Sequence, residues 1–219
     1  MKYMIHTYPK RMWYVINYIV PDLIKQGVRK DDIQIISDSE GLGNLEAFIK
    51  SLDLVEEDTW HLQDDILISK HFKDKCEVLG RLGIIVTGFV HYEFNSGSLL
   101  QTGFTKPLYM FMSFPCIFIP KRYSDHFKRW IRLESTYKKY KERIDTKKND
   151  DWLFYRFMCD IYPNDEIYNT KECLVDHVDY LIGGSSINNR INKVSAYYWN
   201  EFDRNKELEA VLKNDKNKQ

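Results

Sequence analysis

The chain has 219 residues, of which 43% are hydrophobic and 29% charged, a balance that suits one folded domain with a sizeable core and excludes a disordered chain. Basic and acidic residues cancel at 32 each, so no global field draws the protein onto nucleic acid or an anionic membrane. The charge is nevertheless uneven: residues 120–149 hold eleven Lys/Arg against four Asp/Glu, a local excess of seven positive charges. Aromatic residues make up 15%, which serves either a ring-rich core or a cleft that stacks flat ligands. The four cysteines (Cys76, Cys116, Cys159, Cys173) form no C-x-x-C pair and have no zinc-ligand spacing, so a reduced, cytoplasmic setting is expected. Residues 1–6 lack the apolar core of a signal peptide, and the most apolar stretch, 107–120, is interrupted by Pro115 and too short for a transmembrane segment.

In chain order, Tyr3-Met4-Ile5 predicts a first strand that runs into the loop His6-Thr7-Tyr8-Pro9. Val15, Ile16, Ile19, Leu23 and Ile24 recur at helical spacing, predicting a helix over 13–26 that kinks or restarts at Pro21 and stops at Gly27. Ile33-Gln34-Ile35-Ile36 predicts a second strand ending in the polar loop 37–41, and 42–52 a helix. Trp60-His61-Leu62 runs into Gln63-Asp64-Asp65, with Ile66-Leu67-Ile68 after it. A helix over 72–82 and a strand at 84–86 follow. Residues 88–107, with Gly88, Gly97, Gly103 and Pro107, read as a long loop ordered by ligand. Beyond it lie a β-like stretch at 109–119, one long helix from 124 to about 143, and a shorter helix over 151–161. From about Lys206 the chain is charged and expected to fray, giving a domain over 1–200 and a tail over 201–219.

Short apolar strands alternating with amphipathic helices indicate an α/β fold: a single Rossmann-like domain with a mostly parallel central sheet flanked by helices. Such sheets bind ligands at the carboxyl ends of their strands. The loops after the first two strands and the Asp64-Asp65 turn would then line one cleft. In it stand Thr7, Pro9, Arg11 and Asp38, either as ordinary loop residues or as nucleotide contacts, with Arg11 able to pair with a phosphate.

Gln63-Asp64-Asp65 is the main chemical signal. Two adjacent carboxylates repel, and a divalent cation removes the repulsion while bridging to substrate phosphates. The bland alternative is a solvated turn or a helix cap, as Asp31-Asp32 and Asp150-Asp151 also offer. His177 is either a ligand or a hydrogen-bonded structural histidine, and His6 and His61 read as structural. Asp151 is a candidate general base and Asp150 its rival; both also suit the first turn of the helix that follows. No glycine-rich phosphate loop of the G-x-x-x-x-G-K-[ST] type occurs.

The segment 60–72, with Gln63-Asp64-Asp65 at its centre, resembles the metal-binding element of GT-A-type nucleotide-sugar glycosyltransferases. Phe114-Pro115-Cys116-Ile117-Phe118-Ile119-Pro120-Lys121 resembles the strand before their acceptor-side helix, and Asn149-Asp150-Asp151-Trp152-Leu153 the segment that supplies an acceptor-side carboxylate. Leu174-Val175-Asp176-His177-Val178-Asp179, followed by Gly183-Gly184-Ser185-Ser186, is similar to a C-terminal element of the bacterial lipooligosaccharide glycosyltransferase family. The resemblance covers most of 1–190. It implies a GT-A domain and a hexosyltransferase-like enzyme that moves a sugar from a nucleotide-sugar donor to a hydroxyl acceptor on a glycan, a lipid-linked glycan or another polyanionic molecule. Asp65 would coordinate Mn²⁺ or Mg²⁺, with His177 as a second ligand or a diphosphate contact. Asp64 or Gln63 would reach the donor ribose or the metal, and the loops carrying Thr7, Pro9, Arg11 and Asp38 would hold base and ribose. Gln63 departs from the pattern, because an acid is common there and an amide is a poorer metal ligand. Two alternatives stand beside this reading: a glycosyltransferase acting on hydroxylated bases in DNA, which the basic stretch 120–149 favours, and a non-catalytic nucleotide- or glycan-binding module, which Gln63 favours.

Overall fold

The computed structural model describes residues 1–89, 103–105, 114–165, 167–170, 173–178 and 182. Among the described residues the strands are β1 Lys2–Thr7, β2 Ile33–Ser37, β3 Thr59–Gln63, β4 Ile66–Ile68, β5 Ile85–Thr87, β6 Gly103–Thr105, β7 Cys116–Ile119, β8 Ile167–Asn169 and β9 Val175–His177. Seven of them build one sheet in the order β2-β1-β3-β7-β5-β8-β6, and β4 pairs with β9 in a separate two-stranded ribbon. β1 runs parallel to β2 and β3, and β5 parallel to β8, whereas β7 is antiparallel to β3 and β5 and β6 antiparallel to β8. Five strands therefore share one direction and two oppose it. The protein is α/β with a mostly parallel, mixed central sheet flanked by helices.

Strand alternation sends successive side chains to opposite faces. Tyr3 and Ile5 of β1 and Trp60 and Leu62 of β3 face one core, with Tyr14, Ile19, Leu23, Phe72 and Cys76. Met4 of β1 and Ile117 and Ile119 of β7 face the other, under α3 (Asn44–Leu52), α5 (Lys121–Ile131) and α7 (Asp150–Ile161). Phe127 and Phe154 pack there with tilted rings, centroids 5.1 Å apart.

The helical segment after β1 is composite. A 3₁₀ turn, Pro9–Arg11, leads into α1 (Met12–Tyr14), a π-helical turn Val15–Ile19 and α2 (Val20–Lys25). Pro21 cannot donate a backbone hydrogen bond and its ring crowds the carbonyl four residues back. The wider π turn just before it makes room without a sharp break. Gly27 ends the segment at φ 90°.

Two sequence expectations need correction. The helix expected from 124 to about 143 is two, α5 and α6 (Glu134–Ile144), because Leu133 is extended (φ −71°, ψ 137°). The break lets Tyr140 fold back onto Trp130, centroids 5.6 Å apart, which one straight helix would forbid. The long loop over 88–107 contains β6 at the sheet edge. β8 is a strand that periodicity did not signal, three residues being too few to show a period. Residues 90–102 and 106–107, the Gly183-Gly184-Ser185-Ser186 element and the tail over 201–219 lie outside the described residues. Among the described residues no helix is long and apolar enough to cross a membrane.

Candidate functional site

β1 and β3 lie side by side and parallel, with His6 opposite Gln63, so their carboxyl ends open on the same edge. The end of β1 places Thr7 at that edge, and the short turn begun by exposed Pro9 ends there with Arg11. The chain leaving β3 places Asp64 and Asp65 there. The Arg11 guanidinium, only 3% exposed, donates from one nitrogen, Nη1, to Asp64 Oδ1 at 2.9 Å and to Asp65 Oδ2 at 2.7 Å. Thr7 Oγ1 donates to the other Asp64 oxygen at 2.8 Å. The guanidinium carbon also lies 5.2 Å from the centroid of the Tyr8 ring.

The fifth member comes from far along the chain. The β4–β9 ribbon sets Ile66 opposite His177, and Val178 N donates to Asp65 O at 2.8 Å. This fixes His177 Nε2 at 3.2 Å from Asp65 Oδ2. Tyr14, buried below, donates its hydroxyl to Ile66 O at 2.9 Å and pins the turn from beneath. Sequence reasoning passed over Tyr14, whose helical spacing marks it only as core.

Two carboxylates against one guanidinium leave an excess negative charge, shared unequally. Burial pushes the Asp64 carboxyl up, and the charge of Asp65 adds to this, to about 6 against the pull of Arg11 and Thr7. Burial acts the same way on Asp65, but His177 and Arg11 outweigh it and hold that carboxyl well below the usual carboxylate range. Burial alone would lower the Arg11 pKa; Asp65 and Asp64 reverse this and keep it protonated. Asp65 is thus the firmly ionised member and Asp64 the one that takes up a proton first.

Asp65 Oδ1 is buried and has no hydrogen-bond partner among the described residues. With Asp64 and the imidazole of His177 it forms an oxygen-and-nitrogen donor set of the kind that suits a hard or borderline divalent cation. The set is not preformed: among the described residues no group of three or more His, Cys, Asp or Glu is arranged to hold a metal. Arg11 stands between the carboxylates instead.

Asp38, Gln63, Asp150 and Asp151 make no side-chain hydrogen bond to this cluster among the described residues. Asp38 spends both carboxylate oxygens on its own loop, accepting from Leu42 N at 2.7 Å and Gly43 N at 3.0 Å, while its N–H donates to Thr7 O. It therefore ties the β2 loop to the end of β1. Gln63 holds the strand edge through its backbone, donating to Pro115 O at 3.1 Å. Asp150 and Asp151 occupy the first turn of α7, behind Asn149, and no hydrogen bond or ion pair among the described residues joins them to Asp64 or Asp65. A relay of rings connects the two regions: Phe154 of α7 to Phe48, and Phe48 to His6 and His61. His6 Nε2 and His61 Nδ1 are 3.0 Å apart, and burial keeps both rings neutral, with His6 drawn down to about 4. Their contacts are with each other and with Phe48.

Five of the eleven basic side chains in the stretch are in ion pairs. Lys121 bonds Asp125, Lys128 lies 3.6 Å from Asp53, Arg132 3.3 Å from Asp53, Lys138 2.6 Å from Glu134 and Lys139 2.9 Å from Asp160. Arg143 lies over the Trp152 ring at 5.4 Å.

No family model matches the chain, and no curated protein matches it either.

Proposed function

We propose that this protein is a glycosyltransferase of the GT-A type that takes a nucleotide-sugar donor with Mn²⁺ or Mg²⁺ at Asp65. One observation carries the reading. Thr7, Arg11, Asp64, Asp65 and His177, singled out from sequence segments up to 170 residues apart, converge on one buried cluster at the carboxyl ends of β1 and β3. That edge is where open α/β sheets take their ligands. Asp65 and His177 would hold the cation, with Asp64 beside them. The cation's contribution would be to offset charge on the departing diphosphate. Arg11 is a ready cationic partner for phosphate oxygens. Asp151 is the candidate base toward the acceptor hydroxyl, with Asp150 as its rival. Cys76, Cys116 and Cys159 carry free thiols, which suits a cytoplasmic setting.

The test is thermal stability against a panel of nucleotides and nucleotide-sugars, with and without Mn²⁺. A ligand bound only by the folded state raises Tm by mass action, about 2.7 kcal/mol of stabilisation at a hundredfold excess over Kd. A Mn²⁺-dependent rise with one nucleotide family, absent in Asp65→Ala, is expected. A chain that no nucleotide stabilises would end the glycosyltransferase reading.

One second reading has its own support. Arg11 already neutralises much of the Asp64–Asp65 charge and Gln63 replaces an acid, as in a module that binds nucleotide or glycan without transfer. Stabilisation by a nucleotide-sugar with no turnover across an acceptor panel would select it.

A further inference from the structure

The cluster holds a cation already, and that cation is a side chain. Arg11 Nη1 sits between facing oxygens of two carboxylates, 2.9 Å from Asp64 and 2.7 Å from Asp65. We infer that Arg11 is an internal counter-ion occupying the cation position of the Asp64–Asp65 pair, and that a divalent ion binds there only by displacing it. The inference rests on the donor-site reading above and gives Arg11 a positioning role within it.

Charge and burial support it together. Adding a divalent ion to two carboxylates and a guanidinium turns an excess of one negative charge into an excess of one positive charge, in a place from which water is excluded. Guanidinium and metal would repel at short range with little screening. Asp65 Oδ1, buried and without a partner among the described residues, is an acceptor Arg11 leaves unused and an incoming ion could take. Arg11 closes a three-residue 3₁₀ turn whose Pro9 and Lys10 are exposed, so the outward path for its side chain runs along a surface turn. Once displaced, the guanidinium needs a new anion, and a diphosphate arriving with the ion supplies one. Ion and diphosphate would then bind cooperatively, each removing the other's penalty.

The experiment is Mn²⁺ binding without nucleotide, read from the electron paramagnetic resonance signal of free Mn²⁺ at one fixed pH. It compares wild type, Arg11→Gln, Arg11→Lys and Asp65→Asn. Arg11→Gln is expected to bind about tenfold tighter or more than wild type, because the competing charge is gone. Arg11→Lys, which keeps the charge, should stay close to wild type, and Asp65→Asn should not bind. If wild type binds through Asp65 and Arg11→Gln binds equally or more weakly, the competition is overturned and the cation site stands. If no variant binds through Asp65, the inference and the cation site fall together. Should Arg11→Gln fail to fold, the same comparison is made between Asp64→Asn, which retains Arg11, and the Arg11→Gln/Asp64→Asn double variant, in which the lost charges offset each other.

Discussion

Among the described residues Asp64-Asp65 is a buried aspartate pair and Asp150-Asp151 a pair with Asp150 buried and Asp151 partly so, and they differ in the cation beside them. Asp64 and Asp65 have Arg11 between them. Asp150 and Asp151 have only the first turn of α7, where Asp151 accepts from Trp152 N at 2.6 Å. Burial, then the charge of Asp151, pushes the Asp150 carboxyl up to about 8, and burial raises Asp151 as well. An unfolded aspartate ionises near 3.9. Because the folded value is the higher one, Asp150 contributes stability in full below about pH 4 and loses it as pH rises through about 8. Asp150→Asn keeps the shape and removes the ionisation. The variant is therefore expected to gain on wild type between pH 5 and pH 8 in urea midpoint. Parallel curves over that range would mean that Asp150 is ionised in the folded protein. The same asymmetry bears on the proposed chemistry. A carboxyl still protonated at neutral pH is a poor base, which leaves Asp151, raised but hydrogen-bonded as an acceptor, as the better candidate.

At the scale of elements, the loop after β2 shows how closely the site edge is tied to the helices beneath it. Gly43, the residue before α3, has φ 89°, and a Cβ there would come within 2.9 Å of the Lys147 carbonyl oxygen. Gly41 has φ 67° but open space around it. Gly41→Ala is expected to cost about 1 kcal/mol for the left-handed backbone alone. Gly43→Ala adds a backbone clash and should cost about 3 kcal/mol in denaturant titration, loosening the Asp38 loop with it. Equal costs would mean that the Lys147 segment gives way freely. Neither difference is visible in sequence, where both residues are glycines in a polar loop. The strand-and-helix alternation was legible, because β1, β2 and β3 and the α3 and α4 (Phe72–Gly80) helices each carry enough apolar residues to set a period. The α5–α6 break was not, since Trp130, Ile131, Leu133 and Tyr137 keep helical spacing across it. The candidate site was legible as a set of positions, because turns after strands converge in this architecture. That Arg11 faces carboxylates was not, since nothing in its spacing says which way the turn folds.

For the whole molecule, the open question is what faces the basic helices α5 and α6. Sequence alone gives the stretch 120–149 seven excess positive charges, which supports DNA as an alternative acceptor beside the plainer reading of a solvated face. The fold redistributes them. Five of its eleven basic side chains are engaged in ion pairs, and Asp53 and Asp160 reach in from outside the stretch to do it. Individual surface pairs add little stability, but each keeps a charge beside its opposite and lowers the field seen at a distance. A protein that neutralises Z phosphates loses affinity with a log–log salt slope of about −0.9Z. If the pairs persist, duplex DNA should bind weakly, with a slope no steeper than about −2 between 50 and 200 mM salt in gel-shift titration. The proposed acceptor is then a glycan or other hydroxyl compound met at the sheet edge. A slope of about −5 or steeper would require the lysines to exchange carboxylates for phosphates. It would move a hydroxylated base in DNA to the front of the acceptor candidates, with the Asp65 site unchanged.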